Sequence, residues 1–138
     1  MKQEQIKRVF TGLDVLKIKD GIWFSGIEKE GEYKNWWPNN KLHISCNYKQ
    51  GNKKGEYKKW HENGQLWVHC FYRGVGDYEA NRYEGKYKVW WHNGELNESC
   101  FYDKQGKLHG ELKIWNFSGK LIKHEKWIHG DLIKDYLK

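Results

Sequence analysis

The stretch GEYKKWHENGQLWVHCFYRG, residues 55–74, decides the fold. Stretches opening at Gly31, Gly85 and Gly110 align on it without a gap as far as the aromatic residue seventeen positions on. With the opening glycine as position 0, position 5 is always tryptophan (Trp36, Trp60, Trp90, Trp115) and position 11 always leucine (Leu42, Leu66, Leu96, Leu121). Position 3 is always lysine, as Lys34, Lys58, Lys88 and Lys113. Position 2 holds Tyr33, Tyr57, Tyr87 and Leu112, and position 17 holds Tyr48, Tyr72, Tyr102 and Trp127. Self-similarity of this kind is the signature of a repeat architecture.

Each unit reads as a β-hairpin. Asn63-Gly64 and Asn93-Gly94, with Asn39-Asn40 and Ser118-Gly119 in the same place, separate two aromatic-rich runs. That pattern predicts a two-residue type I′ turn, in which both central residues adopt positive φ. In the second strand Leu66, Val68, Cys70 and Tyr72 alternate with Trp67, His69 and Phe71, which predicts one face carrying the first set. Leu42, Ile44, Cys46 and Tyr48 repeat the alternation, so this face is the expected buried one.

Around the units, residues 1–30 read as a degenerate N-terminal capping unit. Residues 31–54, 55–84, 85–109 and 110–130 are four tandem repeats, and residues 131–138 are a C-terminal capping half-unit. Terminal repeats are atypical because they have one neighbour. Ile6, Val9, Phe10 and Leu13 have the spacing of a helical turn or two, Ile18-Lys19-Asp20-Gly21 echoes Trp127-Ile128-His129-Gly130, and Tyr136 stands in for the missing tryptophan of the tail. The connection from Gly74 to Gly85 is longer than the others and carries Tyr78 and Tyr83, the place where a repeat protein often puts a binding loop.

Composition agrees. The 138 residues include one Ala, nine Trp, nine Tyr and 15 Gly, which disfavours a mainly helical domain. Leu, Ile, Val and Phe make up only about 21% of the chain, so the aromatics must supply the core. No apolar run is long enough to span a membrane as a helix, and the N-terminus does not read as a signal peptide, so an intracellular, soluble, cytoplasmic protein is expected.

The unit Gly-x-Tyr-Lys-x-Trp…Asn-Gly-x-Leu…Tyr-x-x-Gly resembles the MORN repeat. It is most similar to the variant found in many uncharacterised bacterial and large-virus proteins, some carrying an antitoxin label. The resemblance covers about residues 12–136. It implies an all-β fold, an elongated single-layer antiparallel sheet of tandem hairpins, and binding of proteins or membrane lipids rather than catalysis. The cysteine column and the scarcity of paired glycines depart from the lipid-associated members.

Cys46, Cys70 and Cys100 occupy one column. Residues two strands apart lie about 10 Å from each other, too far for a disulfide or a shared zinc, so small buried hydrophobes are expected and no metal. No HExxH, Gly-x-Ser-x-Gly or phosphate-binding loop occurs, so neither an enzyme nor a cofactor is expected.

Lys34, Lys58, Lys88 and Lys113 lie two residues before the column tryptophans, hence on their face. A net charge of +7 steers acidic partners towards such a stripe. Residues 1–54 carry 11 basic and 6 acidic residues against 14 and 12 in residues 55–138, so the excess is mostly N-terminal. Trp37, Trp67 and Trp91 lie outside the consensus and, with Tyr78, Tyr83 and the four lysines, are the candidate binding residues. The expected function is a non-catalytic protein-interaction scaffold presenting an aromatic and basic face. The alternatives are a nucleic-acid or anionic membrane-surface binder, and a self-assembling structural or antitoxin-like protein pairing through its sheet edges.

Overall fold

A computed structural model describes residues 29–76 and 79–138, with the backbone of residues 4–6, 18–19 and 22–23. The described residues form strands and turns only. Strands β1 (Glu4–Ile6), β4 (Gly31–Trp36), β5 (Leu42–Lys49), β6 (Asn52–Trp60), β7 (Leu66–Arg73), β8 (Gly85–Trp90), β9 (Leu96–Tyr102), β10 (Gly110–Trp115), β11 (Leu121–Ile128) and β12 (Asp131–Asp135) make one open sheet in that order. Its pairings are all antiparallel, and from β4 onwards each strand pairs with the next in the chain. A separate two-stranded antiparallel ladder pairs β2 (Ile18–Lys19) with β3 (Ile22–Trp23). Ile6 lies in a strand paired with β4, not in a helix; the other residues of that expected helical turn, Val9, Phe10 and Leu13, fall outside the described residues. No helix among the described residues is long and apolar enough to cross a membrane.

The turns differ from the expected type I′. Gly64 N–H donates to the His61 carbonyl (2.9 Å) and His61 N–H to the Gln65 carbonyl (2.8 Å). Gly64 has φ +92, but Asn63 keeps a negative φ, so only one residue adopts the left-handed conformation. Asn63 is used through its side chain instead: Oδ1 accepts from Gln65 N–H (2.9 Å), and Nδ2 donates across to the next turn at the His92 carbonyl. Asn39 does the same, accepting from Lys41 N–H and donating to the Glu62 carbonyl. Paired positive φ values occur between units, at Gln50-Gly51 (51° and 82°) and His129-Gly130 (44° and 91°). These two-residue links join the pairs Lys49↔Asn52 and Ile128↔Asp131.

Every hairpin carries a register shift just before its column tryptophan. In β6 and β7, Tyr57 faces Cys70 and Lys59 faces Val68, but Trp60 faces Leu66, leaving Trp67 as the extra residue. Directly paired residues share a face. Leu66 therefore lies on the Trp60 side, against the alternation that would group it with Cys70. The bulge absorbs one residue and inverts the leucine column relative to the rest of its strand.

The packed face is the tyrosine and cysteine one. Cys46, Tyr57, Cys70 and Cys100 are buried, Cys70 to 1% exposure. Around them pack Tyr33, Ile44, Tyr48, Val68, Tyr72, Tyr83 and Tyr87, with no column leucine or tryptophan in the cluster. Edge-on ring pairs link Tyr33 to Tyr48 (5.8 Å) and Tyr57 to Tyr72 (5.4 Å), each worth about 0.5–1.5 kcal/mol beyond area burial. No disulfide joins the cysteines. Burial pushes the Cys70 and Cys100 thiols up to about 12.

Candidate functional site

The opposite face is built from three rows that run straight across the strands. The middle row follows the pairings Lys34↔Ser45, Ser45↔Lys58, Lys58↔His69, His69↔Lys88, Lys88↔Ser99, Ser99↔Lys113 and Lys113↔His124. All four candidate lysines thus share one line, a cation on every second strand, about 10 Å apart. On one side of it runs the apolar row Trp36↔Leu42, Trp60↔Leu66, Trp90↔Leu96 and Trp115↔Leu121. The third row pairs Glu32↔Asn47, Glu56↔Phe71, Lys86↔Phe101 and Glu111↔Lys126.

Three of the four lysines are paired with the carboxylate two residues earlier. Lys34 lies 3.9 Å from Glu32, Lys58 3.9 Å from Glu56 and Lys113 3.8 Å from Glu111. His69 and His124 add contacts of 2.8 and 3.0 Å to Glu56 and Glu111. The hydrogen bond from His124, with the Lys113 charge behind it, pulls the Glu111 carboxyl below its ordinary value. At these exposed and half-exposed positions such pairs contribute little stability. Their effect is to lower the net charge of the row.

The candidate tryptophans do not join this face. Trp37 sits at the turn, where its Nε1 donates to the Trp60 carbonyl of the next hairpin (3.0 Å) and its ring lies 3.9 Å from that of His43. His61 holds the same column position and reaches the Trp90 carbonyl through Nε2 (2.9 Å). Trp67 stacks on His61 at 4.6 Å, with the Lys59 ammonium 4.2 Å from its centroid. Trp91 continues the column, but Asn97 Nδ2 already donates to the Trp115 carbonyl (2.9 Å), and Trp91 Nε1 is buried with no partner among the described residues. Trp37 and His61 thus tie one hairpin to the next, whereas Trp67 packs within its own. The cue in the sequence is their column: Trp37, His61 and Trp91 all carry a ring N–H.

Tyr83 also belongs to a column, two residues before the opening glycine, with Lys29, Lys53 and Leu108. Lys29 lies over Tyr33 and Tyr48 (5.9 and 4.9 Å), and Lys53 over Tyr57 and Tyr72 (5.2 and 5.3 Å). Tyr83 replaces that ammonium with a ring, at 5.0 Å from both Tyr72 and Tyr87 and 5.4 Å from Tyr102. Its partner in the long connection, Tyr78, lies outside the described residues.

Beside that connection a depression of about 540 Å³ opens between Arg82, Tyr83, Lys107, Trp127 and His129. One wall is stiffened by Asp103, which accepts from His129 Nδ1 (2.7 Å) and from Lys107 and Gln105 N–H (both 2.9 Å). These donors, His129 first, draw the Asp103 carboxyl down to about 2. Its lining mixes both charge signs and brings no nucleophile to a base. Among the described residues no cluster of three or more His, Cys, Asp and Glu side chains could hold a metal ion.

An open antiparallel sheet of serial hairpins, with one packed face and one row-patterned face, defines a β-hairpin repeat protein. Within that class, residues 29–50, 53–73 and 83–104 match the MORN repeat variant, placing three consecutive units in that family's pattern. Comparison with curated proteins returns no match.

Proposed function

We propose that the chain is a non-catalytic protein-interaction scaffold whose binding surface is the lysine row with its flanking tryptophan and leucine row. The observation that carries this reading is the unbroken register of Lys34, Lys58, Lys88 and Lys113 across eight strands, alongside an apolar row of the same length. A surface with apolar anchors and regularly spaced cations suits an extended or flat acidic protein partner. Aromatic anchors supply affinity there, and lysines set approach and orientation. Partner capture from the native host with chemical crosslinking tests it. Replacing Lys58 and Lys113 by glutamine should remove the captured partners while leaving thermal unfolding within a few degrees; capture unchanged by the double substitution would refute the assignment.

A second reading, self-association, is supported by the far edge. Among the described residues β12 is the outermost strand at that end of the sheet; it exposes Leu132 (50%) and Ile133 (53%), with Leu137 (50%) just after it. Unpaired edges with apolar side chains pair readily with another copy. Light scattering across a concentration series tests this reading, and Ile133→Lys should hold the chain monomeric.

A further inference from the structure

The third unit departs from the other three on the row-patterned face. Where Glu32, Glu56 and Glu111 neutralise their column lysines, position 1 of this unit is Lys86. Lys86 and Lys88 therefore point from the same face of β8 with no ion pair among the described residues. The same row changes in a second way at the same place. The residues opposite position 1 are Asn47 and Lys126 in the outer units but Phe71 and Phe101 in the middle ones. Phe71 and Phe101 lie on β7 and β9, either side of β8, and Phe101 is 42% exposed.

Between them is a depression of about 510 Å³ whose lining includes Gly55, Gly85 and Lys86. The glycines keep its floor open: a β-carbon at Gly55 would meet nothing within 4 Å, and one at Gly85 would stand 3.8 Å from the Phe71 ring. Strands two apart are separated by about 10 Å and the Lys86 stem stands on the strand between, so a ring bridging the two phenylalanines lies across that stem. Glu84 is the single carboxylate of the lining, against Lys54 and Lys86. Lys54 is tied back by its hydrogen bond to the Arg73 carbonyl (3.1 Å), so Lys86, with Lys88 beside it, supplies the available positive charge.

The geometry points to this depression as the docking site for an acidic protein segment that places one aromatic side chain between Phe71 and Phe101 and its carboxylates on Lys86 and Lys88. The inference rests on the interaction-face reading above and narrows it to one unit and one partner chemistry. Elsewhere along the row each lysine already has a carboxylate, so an incoming acidic segment displaces one; here it does not. The paired phenylalanines favour a protein segment over a polyphosphate, because they reward an apolar anchor that charge alone does not provide.

The test is amide chemical-shift titration of the ¹⁵N-labelled full chain with a blocked heptapeptide, phenylalanine at its centre and three acidic residues on each side. Saturable shifts are expected at Gly85, Lys86, Lys88 and Phe101. Lys86→Glu recreates the Glu-x-Lys pattern of the other units, so it should fold normally while weakening the peptide at least tenfold; Phe101→Asn should do the same. A peptide with serine at its centre should lose most of the binding, and one with lysines in place of the acids all of it. The proposal is overturned if no saturable shift occurs at these amides, or if Lys86→Glu binds the peptide unchanged. It is overturned equally if oligothymidylate of the same charge binds as tightly. Each of these outcomes leaves the capture experiment at Lys58 and Lys113 untouched, so the two readings fail separately.

Discussion

Trp37→Phe and Trp91→Phe are the same chemical change in the same column, and the hydrogen bonds around the two rings give them opposite signs. Trp37 Nε1 donates to the Trp60 carbonyl at 3.0 Å, so phenylalanine removes a partly buried bond between hairpins. Its net loss is about 1 kcal/mol. Trp91 Nε1 is buried with no hydrogen-bond partner among the described residues, and Asn97 occupies the carbonyl that its column would reach. Phenylalanine there deletes an unsatisfied donor, relieving about 1 kcal/mol of desolvation. Both substitutions shed a similar area of ring, so their difference isolates the polar term at about 2 kcal/mol.

The assay is urea unfolding followed by circular dichroism, with thermal unfolding as a second measure. At this chain length about 1 kcal/mol corresponds to roughly 3–5 °C in Tm. Trp37→Phe should therefore melt several degrees below Trp91→Phe, with the urea m-value unchanged. An unchanged m-value matters because long repeat arrays can unfold in parts. Equal destabilisation by the two substitutions, or a greater loss at Trp91, would refute the idea that this column joins hairpin to hairpin through the carbonyl of the column tryptophan.

Further outcomes follow from the packed face and the loops. Burial pushes the Glu98 carboxyl above its ordinary 4.5, so the native state holds its proton more tightly than the unfolded one. Stability should then fall as pH rises from the unfolded value through the folded one, and Glu98→Gln should abolish that decline and melt higher at pH 7, as measured by Tm between pH 3 and 8. Asp103 runs the other way: drawn down to about 2, it contributes stability above its ordinary 3.8 that is lost as pH falls towards 2, and Asp103→Asn should flatten that acid limb. The Cys70 thiol, pushed up to about 12 by burial, should react with a thiol reagent at pH 8 only at the rate of unfolding; rapid native-state labelling would refute its burial. If the lysine row binds nucleic acid, oligothymidylate affinity must fall steeply with salt; no salt-sensitive binding near 100 mM would remove that alternative.

How much could be read in advance depended on whether a feature lived inside one unit or between two. The hairpins and the tyrosine and cysteine face were legible, because Tyr57 and Cys70 are spaced by an alternation that two paired strands preserve. The leucine column was not, although Leu66 is invariant among the units. Alternation places it with Cys70, and only the extra residue in the ladder, Trp67, carries it to the Trp60 side. A bulge leaves no mark on composition or on period within a single strand. The same blindness made Trp37 and Trp91 look surplus: their bonds end on, or are displaced from, backbone carbonyls of the following hairpin, and a carbonyl has no letter in the sequence. Their recurrence as ring N–H donors was visible, and so was the replacement of Glu by Lys at residue 86. In a repeat chain a consensus residue reports what every hairpin needs. A departure reports something only once the cross-strand register shows whether a second departure stands opposite it, as Phe101 stands opposite Lys86.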